Sequence, residues 1–146
     1  MRDRRAVLDL PLRLILVLLV ISLSAPVAIS ALEDMEEGAA GAAMEAAARR
    51  IMNVAAELHY GGCESTQGLS LSLPSDCRME IGGDAGTPDA MSIRCYYREK
   101  LVSTCYVEGQ MLMLIGDSTL GLEGDFTLRL RSTFALDYPA VEVTVL

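Results

Sequence analysis

Residues 14 to 32 carry nineteen consecutive side chains without a charge, and a basic leader of Arg2, Arg4, Arg5 and Arg13 precedes them. At about 1.5 Å per residue, such a run spans roughly 28 Å as a helix, close to the hydrocarbon thickness of a bilayer. No breaker stops the pattern at Leu32. It passes into an Ala-rich segment in which Met44, Ala47, Ile51, Val54 or Ala55, and Leu58 recur at three- and four-residue steps, the spacing of one helical stripe. A single helix, apolar all round in its first half and amphipathic in its second, is therefore expected to reach Gly61-Gly62, a glycine pair suited to a C-cap. Pro11 falls near the start of that helix and Pro26 inside the apolar run, where a bend is expected.

About two fifths of the 146 residues are committed to this helix, which leaves room for one small domain. Charge divides along the chain in the same way. Residues 1–13 hold four Arg against Asp3 and Asp9, net +2, and the remaining eight basic and eighteen acidic residues give −10. The positive-inside rule then puts the N-terminus in the cytoplasm and the acidic head outside. An acidic head without clustered Lys and Arg argues against nucleic acid as a partner. The lipid bilayer is the first partner expected.

Beyond Gly62 the period changes from 3.6 to 2. Leu69, Leu71 and Leu73 alternate with serines; Met79 with Ile81, then Met91, Ile93, Cys95 and Tyr97, then Phe126, Leu128 and Leu130, and finally Val141, Val143 and Val145 repeat the alternation. Turn signals lie at residues 74–76, 82–89, 108–109 and 121–124. The expected fold is α+β, with the long N-terminal helix packed on a small antiparallel head of five to seven strands. Residues 111–115, Met-Leu-Met-Leu-Ile, do not alternate. They read as a strand buried on both faces or one covered by the helix.

Cys63, Cys77, Cys95 and Cys105 all fall in the head, where an exported location favours disulfides. Their spacing contains no Cys-x-x-Cys and only one His exists in the chain, so neither a metal nor a cofactor is expected. Three connectivities are open. The symmetry of Cys95 and Cys105 about Lys100 favours that pair across a short loop, with Cys63 and Cys77 closing a second loop worth about 3 kcal/mol.

No nucleophile motif accompanies His59, which reads as a helix C-terminal residue favoured by the dipole, and no catalytic residue is assigned. Residues 82–89, Gly-Gly-Asp-Ala-Gly-Thr-Pro-Asp, are the best isolated candidate for a binding loop. They lack EF-hand spacing and do not open a helix, which favours an ordinary connection between strands. The reading is of a protein that is not an enzyme.

Two kinds of N-terminus fit these residues. A secretory signal would be cut after Ala28-Ile29-Ser30, so that the chain begins at Ala31. The alternative rests on Arg4-Arg5-Ala6 followed by Val7-Leu8-Asp9-Leu10-Pro11 and the long helix behind it, in which the chain resembles archaeal type IV pilin-like proteins. That resemblance implies cleavage between Ala6 and Val7 by a prepilin peptidase, with the apolar helix retained in the mature protein. It implies a leader at 1–6, a transmembrane or filament-core half of the helix at 7–32, an amphipathic stalk at 33–60 and an extracellular β-rich head at 61–146. Asp9 stands third in that mature chain, where bacterial type IV pilins commonly carry Glu at the fifth position, and is assigned the corresponding subunit contact. The implied partners are copies of itself or related pilin-like subunits, the peptidase and a membrane assembly platform. Small residues at Ser22, Ser24, Ala25, Ala28, Ser30 and Ala31 suit close helix contacts. The competing reading keeps the same head as a monomeric, membrane-tethered or secreted ligand-binding domain.

Overall fold

Among the described residues, one long helix is followed by eight strands. The computed structural model describes residues 4–62, 64–107, 112–116 and 120–146, and the side chains from residue 11 onward except that of Leu120. Helix α1 runs Arg4–Tyr60 and continues through Pro11 and Pro26. It ends where the glycine pair predicts: the Gly61 amide donates to the Glu57 carbonyl at 2.9 Å, and Gly62 takes φ +97°. The chain divides into two compact units, residues 1–36 and residues 37–146.

In the second unit the predicted stripe is buried. Ala40, Met44, Ala47, Ala48, Ile51, Ala55 and Leu58 all lie under the head, a face that repeats every three or four residues. Small side chains at 40, 47, 48 and 55 let strands approach the helix closely, while Met44 and Ile51 fill the gaps between them. Gly41 belongs to the same logic. A β-carbon there would stand 3.2 Å from Cγ1 of Val102, so this glycine admits a strand.

The strands are β1 (Thr66–Ser72), β2 (Cys77–Ile81), β3 (Ser92–Tyr97), β4 (Lys100–Tyr106), β5 (Met113–Ile115), β6 (Leu120–Glu123), β7 (Asp125–Ala135) and β8 (Tyr138–Val145). They form two four-stranded sheets, ordered β1-β7-β8-β5 and β4-β3-β2-β6, in place of the single sheet expected. All pairings among neighbours are antiparallel except β5 with β8, which is parallel. Period-two alternation shows which side chains share a face but not which strands share a sheet, so this division lay beyond the pattern.

One buried cluster joins the helix stripe to the inner faces of both sheets: Leu69, Leu71, Leu128, Leu130, Val141 and Val143 on one, and Cys77, Met79, Ile81, Ile93, Cys95 and Leu122 on the other. Residues 112–114 resolve the ambiguity of their unpatterned run. Leu112 and Leu114 join this cluster, while Met113 points the other way into a second one with Ala90 and Ala140, so β5 is buried on both faces.

Turns at two hairpins are tighter than the sequence suggested. Arg98-Glu99 and Leu136-Asp137 each connect strands with both residues at positive φ, the mirror-image turn that matches strand twist. The first of these moves the β3–β4 pairing off the expected centre at Lys100. Gly121, expected in a turn, lies within β6 opposite Glu80, under the aliphatic stem of Arg78; the turn is made at Gly124, φ +63°.

Candidate assembly helix and head surface

The apolar half of α1 presents every large side chain outward. From Leu12 to Leu32 each leucine, isoleucine and valine is more than half exposed. A helix of this composition is long and apolar enough to cross a membrane. Its polar atoms are turned inward on its own backbone. The hydroxyls of Ser22, Ser24 and Ser30 donate to the carbonyls of Leu19, Ile21 and Val27 at 3.0, 3.3 and 3.1 Å, which leaves a surface of small, internally satisfied groups. Pro26 lacks an amide hydrogen, so the Ser22 carbonyl loses the donor it would have one turn on. In hydrocarbon such a carbonyl is costly unless a neighbouring helix or a hydroxyl meets it.

Ala6, Val7 and Asp9 lie on helical backbone, since α1 begins at Arg4. The second half of α1 has an outward face too. Gly38, Ala39, Ala42, Ala43 and Ala46 are exposed, and no atom stands within 4 Å of a β-carbon built on Gly38. The i, i+3, i+4, i+7 spacing of residues 39, 42, 43 and 46 marks this second face in the sequence.

The three described cysteines are thiols. Cys77 and Cys95 are buried and Cys105 is partly exposed, and no disulfide joins these three. The expected Cys95–Cys105 bond is absent for a reason of register. Cys95 faces Ser103 and Cys105 faces Ile93, because the hairpin turns at residues 98 and 99. The expected partner of Cys77, Cys63, lies outside the described residues. Burial pushes the Cys95 thiol up to about 12, with the neighbouring Cys105, Cys77 and Glu45 adding to it, and burial and then Asp76 raise Cys77.

A charged lattice, not foreseen, covers the outer face of the second sheet. Register sets Arg78 beside Tyr96 and Glu80 beside Arg94. Glu80 accepts a hydrogen bond from the Tyr96 hydroxyl at 3.2 Å and is ion-paired with Arg94, whose Nε stands 3.2 Å away, and with Arg78 at 3.4 Å. Arg94 also pairs with Asp89, Arg78 also pairs with Glu99, and the Arg78 guanidinium lies 5.0 Å from the Tyr96 ring centre. Burial lowers the pKa of Arg94, but the hydrogen bond and charge of Asp89 outweigh it and the net shift is upward. Burial and then Glu80 raise that of Tyr96. Opposite charges at matching polar positions of β2 and β3, Arg-x-Glu against Arg-x-Tyr, were the signal in the sequence. The lattice pairs opposite charges across β2 and β3, while Arg78 Nε and Arg94 Nε are buried within it without a hydrogen-bond acceptor.

The glycine-rich loop links the two sheets. Gly83 bridges to Ile115 and its amide donates to the Leu114 carbonyl at 3.2 Å, tying one sheet to the other. Thr87 closes the loop onto the Asp84 carbonyl at 2.7 Å, and Asp89 is held by Arg94. Among the described residues, no three His, Cys, Asp or Glu side chains are grouped to hold a metal ion. His59 occupies the last turn of α1, its ring 5.5 Å from that of Tyr60. A groove of about 700 Å³ runs between α1 and the edge strand β4, with Glu45, Arg49, Met52, Cys105 and Tyr106 in its walls.

In comparisons with known proteins, no family model, no curated protein and no solved structure matches this chain.

Proposed function

We propose that this chain is a non-enzymatic, pilin-like surface protein, anchored in the membrane by the first half of α1 and assembling through that helix into, or alongside, an extracellular filament. The observation that carries the proposal is the continuous exposed apolar surface from Leu12 to Leu32, on the same helix whose later stripe is built into the core of the head. A contiguous apolar surface of that length needs lipid or protein to cover it. Lipid serves before assembly, and the same helix of neighbouring copies serves afterwards. Its inward-turned serines and small residues suit close helix packing, and the partners are further copies or related subunits, a prepilin peptidase and an assembly platform. The head then lies outside the cell with the N-terminus in the cytoplasm.

In this reading Ala6 and Val7 form the processing junction, and Asp9, near the new amino terminus, pairs with a neighbouring subunit in an apolar surround. Asp9→Ala tests it. The variant is expected to reach the membrane at the wild-type level and to be lost from sheared surface filaments. Equal recovery of variant and wild type in the filament fraction would refute the assembly role and leave a tethered binding domain.

A further inference from the structure

Three cysteines stand on one diagonal of a single sheet face. Cys95 lies opposite Met79 on one side and Ser103 on the other, whereas Cys77 is opposite Tyr97 and Cys105 opposite Ile93. Each outer cysteine is therefore displaced from Cys95 by two residues. Diagonal neighbours are about 7–8 Å apart, against the roughly 4 Å between β-carbons that a disulfide needs. In this register the three remain thiols.

Three features of the β3–β4 hairpin bear on how readily its register can change. Its turn uses Arg98 and Glu99 at φ +47° and +63°, a conformation that Asn-Gly fills readily and that long side chains resist. The ladder slips by one residue between Cys95 and Tyr96. β4 is an edge strand, so moving it disturbs one ladder only. Sliding β4 by two residues sets Cys105 opposite Cys95 and Val107 opposite Ile93, and it replaces the strained turn with a loop of residues 98–102. Because side chains alternate with period two, a two-residue slip keeps Ser103 and Cys105 on the core face. It gives up the contact of Val102 at Gly41, the 2.7 Å pair between Lys100 and Glu37, the bond from the Val107 amide to the Met91 carbonyl and, at the turn, the Arg98 amide bond to the Asp76 carbonyl with the exposed pairs Arg98–Asp76 and Glu99–Arg78.

We propose that Cys95 and Cys105 form a disulfide through this slip of β4, driven by a disulfide-bearing oxidant such as oxidised glutathione or a protein thiol oxidase. Cys105, partly exposed on the groove beside α1, loses its proton and attacks one sulfur of the oxidant, whose S–S bond breaks to release a first thiol. The Cys95 sulfur then attacks that of Cys105, releasing the second thiol, which takes up the Cys95 proton. Two thiols of the chain are oxidised and one disulfide of the oxidant is reduced. Burial keeps Cys95 protonated, so it acts second. The inference rests on an oxidising surround for the head and not on filament assembly.

The test uses the full chain in detergent micelles, exposed to oxidised glutathione or to excess reductant, then acid-quenched, alkylated and mapped by mass spectrometry, with hydrogen exchange on the same samples. A linked Cys95–Cys105 peptide is expected, with amides of residues 98–102 exchanging about tenfold faster after oxidation. The double variant R98N/E99G, which favours the two-residue turn, is expected to keep the reduced fold and to oxidise about tenfold more slowly. Linkage of Cys95 to Cys77 or Cys63, full alkylation of both cysteines after oxidation, or a Cys95–Cys105 link with unchanged exchange at 98–102 would overturn the proposal.

Discussion

Replacing Gly82 by Ala probes the joint between the two sheets. Gly82 leaves β2 at φ +61°, and its amide donates to the Ser92 carbonyl at 2.9 Å. A β-carbon there would stand 2.8 Å from the Leu114 carbonyl carbon and closer still to its oxygen. The left-handed conformation costs an alanine about 1–2 kcal/mol. Relieving the clash moves Leu114, which is fully buried, at an overpacking cost of about 1–3 kcal/mol. The same movement breaks the bond from the Gly83 amide to Leu114, worth about 1–3 kcal/mol when a buried group is left unpaired. A loss of about 3–8 kcal/mol follows, against a typical domain stability of about 5–15 kcal/mol. Two controls separate the causes. Gly62→Ala shares the positive φ but has nothing within 4 Å, so it should lose only about 1–2 kcal/mol. Gly38→Ala, helical and open, should gain up to about 1 kcal/mol. Urea unfolding of the full chain in mild detergent, followed by tyrosine fluorescence because the chain lacks Trp, measures all three. If Gly82→Ala loses no more than Gly62→Ala, the close approach of β2 to β5 is refuted.

Ile51→Ala empties the centre of the helix-to-sheet core and should cost about 2–5 kcal/mol in the same assay, while Asn53→Ala, on the exposed face, should stay within about 0.5 kcal/mol. In reduced protein, alkaline pH should destabilise the head through Cys95. Its folded pKa lies above the ordinary 9.0, so the unfolded chain ionises first; the contribution is whole below pH 9 and lost as pH climbs toward about 12. At full extent it amounts to about 4 kcal/mol at 1.36 kcal/mol per unit. Cys77 and Tyr96 shift in the same direction, so the difference in pH dependence between wild type and Cys95→Ser isolates this thiol. Equal slopes above pH 9 would sink the assignment. Lys100→Met removes a pair whose side chains are 68% and 35% exposed, and urea unfolding should register a loss of no more than about 1 kcal/mol.

The helix was legible because period and composition agree over many turns: Met44, Ala47, Ile51, Ala55 and Leu58 are buried as their spacing requires. Most strand faces were legible for the same reason, including Leu69 with Leu71 and Leu128 with Leu130. Val145 was not, since the last residues of β8 have no cover and it is 43% exposed. Pairing was harder to read than patterning. The parallel match of β5 with β8 joins segments far apart in the chain, and only Met113 facing away from Leu112 and Leu114 hints that both faces are covered. Turn chemistry misled at two points. Arg98-Glu99 has none of the glycine or asparagine that advertises a tight hairpin, which displaced the expected Cys95–Cys105 register, and Gly121 looked like a turn residue although it serves as a gap for Arg78. The charged lattice on β2 and β3 needed the register before Glu80 and Arg94 were known to be neighbours.

An anchoring and assembling role requires the apolar helix to remain part of the working protein. N-terminal sequencing of the protein isolated from its native envelope measures this directly. The pilin-like reading predicts a mature chain beginning at Val7, with residues 14–32 retained. A chain beginning at Ala31 would contradict it, since the surface argued to anchor and assemble the protein would then have been removed.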